Sequence, residues 1–182
     1  MSINIIIATT NRPSLRRTIE ALADQVTPDD FVTILYDGVT PEQYPLQILK
    51  CTVISIAELN QQGSWGHGIR SKYQNYLPGD WLWNVDDDDV VTPDALQAIR
   101  ETCTDNRNIY FFRFRHVTQG KIYWHTPGQY YLGNVGTPSG IIPNSHNLPY
   151  WPPIHGGDGL FMQNCANLFN PVWIDRIIYE AY

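Results

Sequence analysis

Basic clusters, paired cysteines and long apolar stretches are all missing from this chain, and each absence removes a class of function. Its 182 residues carry twelve Lys and Arg against eighteen Asp and Glu, a net charge of −6, with no run of basic residues anywhere. Charge-driven binding to a nucleic-acid backbone needs such a run, so no nucleic-acid partner is expected. The three cysteines, Cys51, Cys103 and Cys165, are odd in number, far apart and in no CxxC pair. That spacing builds neither a disulfide framework nor a zinc knuckle, and fits reduced thiols in a cytoplasmic protein. The opening segment has three consecutive Ile between Asn4 and Ala8. This is too short for a signal sequence or a transmembrane segment, so any membrane association is expected to be peripheral.

What remains is an acidic, aromatic-rich chain of ordinary apolar content. At 43% apolar residues there is material for one sizeable core in a single domain spanning 1–182. Charged residues are scarce at 16%, whereas six Trp and eleven Tyr help raise the aromatic share to 13%. Such residues either fill a core or grip a flat amphipathic ligand such as a sugar ring, and for most of them core filling is the expectation. An acidic protein that binds an anionic ligand also needs a cation between the two.

The first half alternates strand and helix. Ile3 to Ala8, Phe31 to Tyr36, Thr52 to Ile56 and Asp80 to Val85 are short apolar runs typical of buried parallel strands. Between them, Leu15, Ile19, Leu22, Ala23 and Val26 fall on one face of a helix that Pro13 opens, and Gly68 to Leu77 forms another. Thr92-Pro93-Asp94 reads as a helix start with Thr92 as cap, and Asn108 to His116 as a further strand. This alternation predicts an α/β fold, a mostly parallel sheet flanked by helices, with ligands bound beyond the carboxyl ends of the strands. Thr9-Thr10-Asn11, Asp37-Gly38 and Asp86 to Asp89 then share one rim.

The second half, 101–182, differs in texture and is expected to extend the same domain on the other side of that rim. Its elements read as short β pieces at Lys121 to His125 and Gln129 to Leu132, then helices at Leu160 to Asn167 and Pro171 to Ala181, the last capped by Asn170. Trp124, Tyr130, Tyr131, Tyr150 and Trp151 are candidate stacking surfaces there. His67, His116, His125 and His146 lack ligand spacing and are expected to be surface or satisfied core histidines.

The strongest local signal is four consecutive aspartates, Asp86 to Asp89, directly after a buried strand. Carboxylates so close repel one another unless protonated or neutralised, and a hard divalent cation such as Mg²⁺ or Mn²⁺ neutralises them while leaving positions open for phosphate oxygens. The competing reading is a solvated acidic turn in which Asp89 or Asp94 assists the next helix.

These segments together resemble glycosyltransferase family 2. Gly79-Asp80-Trp81-Leu82-Trp83-Asn84-Val85-Asp86-Asp87-Asp88-Asp89, followed by Thr92-Pro93-Asp94-Ala95-Leu96, is similar to that family's DxD region. Arg70 stands where the family's Arg precedes this strand, Ile6-Ile7-Ala8-Thr9-Thr10-Asn11-Arg12-Pro13 resembles its first strand and loop, and Leu35-Tyr36-Asp37-Gly38 its Asp-Asp-Gly segment. The resemblance implies a GT-A, Rossmann-like fold and a nucleotide-sugar donor, a UDP-sugar, bound by residues 1–100. It places Thr9, Asp37 and Arg70 in the nucleotide pocket, with Asp37 beside the base. Asp86 would approach the ribose or the metal, Asp88 would be the main metal ligand, and Asp87 would fill the variable slot of the nucleotide-sugar site, with the register open by one position. Ser71 departs from the family, which often has Asn there.

An inverting transfer needs a base to deprotonate the acceptor hydroxyl. Asp158, in His155-Gly156-Gly157-Asp158-Gly159, resembles the family's Gly-Glu-Asp segment, with Gly157 in place of Glu, and is the candidate base; it also suits a helix cap. His155 is a candidate metal ligand or diphosphate contact. The acceptor, whether glycan, lipid-linked or another hydroxyl, has no readable motif. A sugar nucleotidyltransferase is the nearest alternative, but Thr9 to Pro13 holds no Gly for a phosphate loop. A nuclease would need a basic face, and four Asp in a row lack EF-hand spacing. An inactive nucleotide-sugar or carbohydrate-binding module stays open.

Overall fold

A computed structural model of the protein describes residues 1–123 and 126–182; the expectations at Trp124 and His125 lie outside the described residues. The first half follows the predicted alternation with β1 (Ile3–Thr9), α1 (Leu15–Leu22), β2 (Phe31–Asp37), β3 (Thr52–Glu58), α2 (His67–Tyr73) and β4 (Trp81–Asp86); an unexpected short β5 (Val90–Val91) then precedes α3 (Ala95–Thr102). The second half contributes β6 (Asn108–His116), β7 (Lys121–Tyr123), β8 (Gly140–Pro143), α4 (Gly157–Ala166) and β9 (Asn170–Ala181).

Strands β3, β2, β1 and β4 form a parallel block in that order. The sheet continues through β8, antiparallel to β4, then β6, β9 and β5, with β7 beside β6. The consecutive isoleucines of β1 reflect cover on both faces. Ile3, Ile5 and Ile7 enter one core with Leu15, Ile19 and Leu22 of α1 and Leu96 and Ile99 of α3. Ile6 and Ala8 enter the other, against Ile69 of α2 and Phe161, Met162 and Cys165 of α4. Parallel register sets Ala8 opposite Asp86 and Thr9 opposite Tyr36, so β1, β2 and β4 end at one height and their loops share one rim.

Several sequence expectations are corrected. Pro171 to Ala181 is no helix: Asn170–Ala181 is the long strand β9, parallel to β6 with register shifts around Arg113. Its Val172, Trp173, Ile174, Ile177 and Tyr179 are β-branched or aromatic, and Pro171 is tolerated at a strand's start as readily as in a helix's first turn. Partners on β6 decide the matter, with Trp173 stacked on Phe111 at 4.6 Å and Tyr179 on Phe114 at 4.8 Å. Gln129 to Leu132 forms no strand, only an isolated bridge from Leu132 to Val135. The cap of α3 is Asp94, not Thr92, whose hydroxyl donates to Asp94 Oδ1 at 3.1 Å. Helix α4 begins at Gly157, earlier than Leu160. Trp151 is fully buried and stacked on Phe161 at 3.8 Å, so it is core and not a ligand platform. No described helix is long and apolar enough to cross a membrane.

Candidate active site

Where β4 ends, the four aspartates alternate in role. Asp86 and Asp88 keep 31% and 35% of their side-chain surface exposed, whereas Asp87 and Asp89 are buried. Thr9 Oγ1 donates to Asp87 Oδ2 at 2.6 Å. Arg12 places Nη2 2.7 Å from Asp87 Oδ1, a charge contact without a well-aligned hydrogen bond, and its Nη1 pairs with Asp88. Burial pushes the Asp87 carboxyl above its ordinary range. At Asp89 burial, reinforced by Asp86 and Asp88, pushes it up to about 9. Repulsion in the run is thus relieved by Arg12, which pairs with Asp87 and Asp88, and by a proton on Asp89.

Arg70, on α2, is fully buried beneath the rim. Its Nη2 donates to Val85 O at 3.1 Å and to Asp86 Oδ1 at 2.8 Å, and Nη1 donates to Trp65 O at 3.3 Å. Asp37 accepts from the backbone N–H of Gln62 at 2.5 Å and of Gly63 at 3.0 Å, which clamps the segment ahead of α2. Ser71, the departure from the family pattern, has its own use: its Oγ accepts from Trp151 N at 2.7 Å and ties α2 to the second half of the chain.

Two adjoining hollows open along this rim. One, of about 120 Å³, lies between Thr9, Thr10, Asp37, Gln61 and Asp86. The other, of about 300 Å³, lies between Asp86, Asp88, Leu132, Thr137, His155 and Asp158. Arg12, Trp65 and Asp86 wall both. A larger depression of about 850 Å³ lies at the opposite edge, beside Gly79, Asp80 and His146. It borders the amino ends of the parallel strands, and its acids are already engaged, Asp80 by Ser2 N at 2.7 Å and Asp105 by Arg107. The rim hollows are therefore the candidate site.

Asp158 reaches the second hollow from the first turn of α4, accepting from Gly159 N at 2.9 Å. Burial raises its carboxyl above the ordinary range, with Asp86 adding to the effect. The flanking glycines permit this seat. A Cβ on Gly157 would stand 2.3 Å from Pro152 O, and one on Gly159 would stand 2.3 Å from Tyr130 O. The Glu of the family pattern has no room at position 157 in this chain. His67, read from sequence as a surface or core histidine, is buried in the wall of the same hollow and donates from Nδ1 to Pro152 O at 2.8 Å.

Among the described residues, no three His, Cys, Asp or Glu side chains already converge as a ligand set. Asp86, Asp88 and His155 nonetheless wall one hollow. Two carboxylates with open positions beside them suit a hard divalent cation whose remaining ligands are phosphate oxygens. The residues fit such an ion.

The structure therefore brings Thr9, Asp37, Asp86, Asp88, His155 and Asp158 to adjoining hollows. Arg70 and Asp87 stand behind them as supports. Sequence reading gave no individual role to Arg12 or Trp65. Arg12 follows the first strand's Thr-Thr-Asn segment, but only the folded rim shows that it pairs with two of the aspartates.

The mostly parallel α/β sheet, with its hollows at the carboxyl ends of the strands, matches the GT-A fold of solved glycosyltransferase structures. The chain belongs to glycosyl transferase family 2, whose family model matches residues 4–158. No curated protein sequence matches it. Among solved structures it is similar to S. aureus TarS 1-349, at 20% identity and a TM-score of 0.72 over 100% of this chain and 60% of that one. TarS 1-349 in complex with UDP-GlcNAc matches at 20% identity and 0.72, over 100% and 58%. The mannosyltransferase PcManGT from Pyrobaculum calidifontis, in complex with GDP-Man and Mn²⁺, matches at 10% identity and 0.72, over 98% and 56%. The chain thus spans 56–60% of the length of these solved chains and 36% of a longer TarS chain, and the likeness at such identity is one of fold.

Proposed function

We propose that this domain transfers a sugar from a nucleoside-diphosphate sugar, a UDP-sugar, to a hydroxyl acceptor with inversion, using Mn²⁺ or Mg²⁺. One observation carries the reading: Asp86 walls both the hollow with Asp37 and Thr9 and the hollow with Asp158. A donor lying across that shared wall would have its nucleotide on one side and its anomeric carbon on the other. The ligands in the solved structures of TarS and PcManGT, UDP-GlcNAc and GDP-Man, support a nucleotide-sugar donor.

Thr9 and Asp37 would bound the nucleotide, with Arg70 bracing the wall from behind. Asp86, Asp88 and His155 would hold the cation, which when bound supplies Lewis-acid neutralisation of the diphosphate. The Mn²⁺ in the PcManGT structure supports that choice of ion. Asp158 would accept the acceptor's hydroxyl proton as the new C–O bond forms. The bond from the anomeric carbon to the diphosphate oxygen breaks, and its electron pair leaves with the nucleotide. Burial of Asp158 makes it a stronger base than an exposed carboxylate. Residues 1–100 would form the donor side, and Leu132, Thr137, His155 and Asp158 the acceptor side. Three free thiols, two of them buried, support a cytoplasmic setting.

Calorimetric titration of UDP, GDP, CDP and dTDP, each with Mn²⁺ and again with EDTA, tests the reading. Tight UDP binding that disappears with EDTA is expected. Absence of binding in every arm would overturn it.

A further inference from the structure

Trp65 stands where the two hollows meet, and its backbone is held in a conformation that its own residue type disfavours. Gly63, Ser64, Trp65 and Gly66 have φ of 68°, 56°, 56° and 82°, four positive-φ residues in succession, two of them not glycine. Left-handed backbone is uncommon for residues with a Cβ, and it persists only where surrounding contacts over-determine it. Those contacts are present. Asp37 grips the backbone at Gln62 and Gly63, and Arg70 donates to Trp65 O. A Cβ on Gly66 would lie 2.7 Å from that of Ala8, so the turn is pressed against β1.

The strain does not serve the core. The Trp65 residue is 68% exposed, and its ring meets His155 edge-on at 5.7 Å. A large apolar ring kept out of the core by a clamped, strained turn is available to a ligand. Its place names the ligand. It walls the hollow of Asp37 and Gln61 as well as the hollow of Asp158. The group that must lie between a nucleotide and a catalytic base is the sugar being transferred.

We propose that the Trp65 indole is the platform on which the apolar C–H face of the donor's sugar ring rests, making it a specificity-determining residue. The inference rests on the donor reading above. The flat indole recognises a ring with a continuous C–H face, and it shares its hollow with Asp158.

Wild type, Trp65→Ala and Trp65→Phe would be titrated by calorimetry, in Mn²⁺, with UDP and UDP-glucose and with GDP and GDP-mannose. Unchanged thermal unfolding midpoints are expected, because the side chain is exposed. Trp65→Ala should bind the preferred diphosphate as wild type does, while its sugar conjugate weakens about tenfold, and Trp65→Phe should recover most of that loss. Equal weakening of diphosphate and conjugate, or no weakening of the conjugate, overturns the platform and leaves the donor reading intact. If wild type binds none of the four, and neither CDP nor dTDP, the donor reading fails and the platform with it.

Discussion

The buried guanidinium of Arg70 donates a 2.8 Å hydrogen bond to Oδ1 of Asp86, sixteen residues further along the chain. The same side chain also holds Val85 O and Trp65 O, so one residue of α2 braces the end of β4 and the turn that carries Trp65. Arg70→Met should therefore weaken both fold and site. Removing one member of a buried pair costs about 3–5 kcal/mol, and the partial exposure of Asp86 reduces this to about 2–3 kcal/mol. Urea denaturation would read the loss, and calorimetry the accompanying loss of nucleotide binding. Arg70→Lys should not restore three directed contacts.

Asp30 offers a contrast at the amino ends of β1 and β2, the opposite side from the rim. It is fully buried and accepts from Ile3 N at 3.0 Å, Thr27 N at 2.7 Å and Thr27 Oγ1 at 2.9 Å, with Arg100 as its ion partner. Asp30→Ala should cost about 3 kcal/mol by leaving those donors and the cation unpaired. Nucleotide affinity measured on the folded protein should not change.

Asp158→Asn should leave donor binding intact while kcat falls roughly 10²–10⁴-fold, the usual span for loss of a general base. Because burial raises its carboxyl, the acid limb of kcat against pH should lie above the ordinary carboxylate range, since the base works only when deprotonated. Gly159→Ala forces a Cβ against Tyr130 O and should also lower kcat more than it changes donor affinity. Turnover in Asp158→Asn close to wild type would remove Asp158 from the mechanism.

Asp88→Asn tests the cation. It should abolish Mn²⁺-dependent nucleotide binding and make the protein indifferent to EDTA. Metal-dependent binding that survives the substitution would place the ion on other ligands.

His67 predicts a pH dependence of stability. Burial lowers its pKa from 6.5, opposed in part by its bond to Pro152 O. The folded form then binds fewer protons than the unfolded chain below about pH 6.5, so stability is full above that value and declines as pH falls toward the depressed pKa. Thermal midpoints recorded from pH 7.5 to 5 should fall less steeply in His67→Gln than in wild type. Because the ring also lies 5.2 Å from Trp151, the variant should be less stable at every pH. Parallel curves would sink the assignment.

Local sequence was enough for most of the first hundred residues, though not for β5 or the cap of α3. Short apolar runs and helical spacing marked β1 to β4 and α1, because each of those strands pairs with neighbours that also carry the pattern. The loops after β1, β2 and β4 fell on one rim by topology, so most candidate residues were legible before any contact was known. Tertiary structure decided the rest. Whether Asn170–Ala181 became strand or helix depended on stacking against Phe111 and Phe114 of β6, which local propensity does not contain. Which aspartates face the cavity depended on Thr9 and Arg12 drawing Asp87 inward, far from it in sequence. The room at Gly157 and Gly159, and the exposed seat of Trp65, arise from backbone approaches between distant segments. Such approaches leave no periodic trace in a sequence, since they are set by what the folded chain brings alongside.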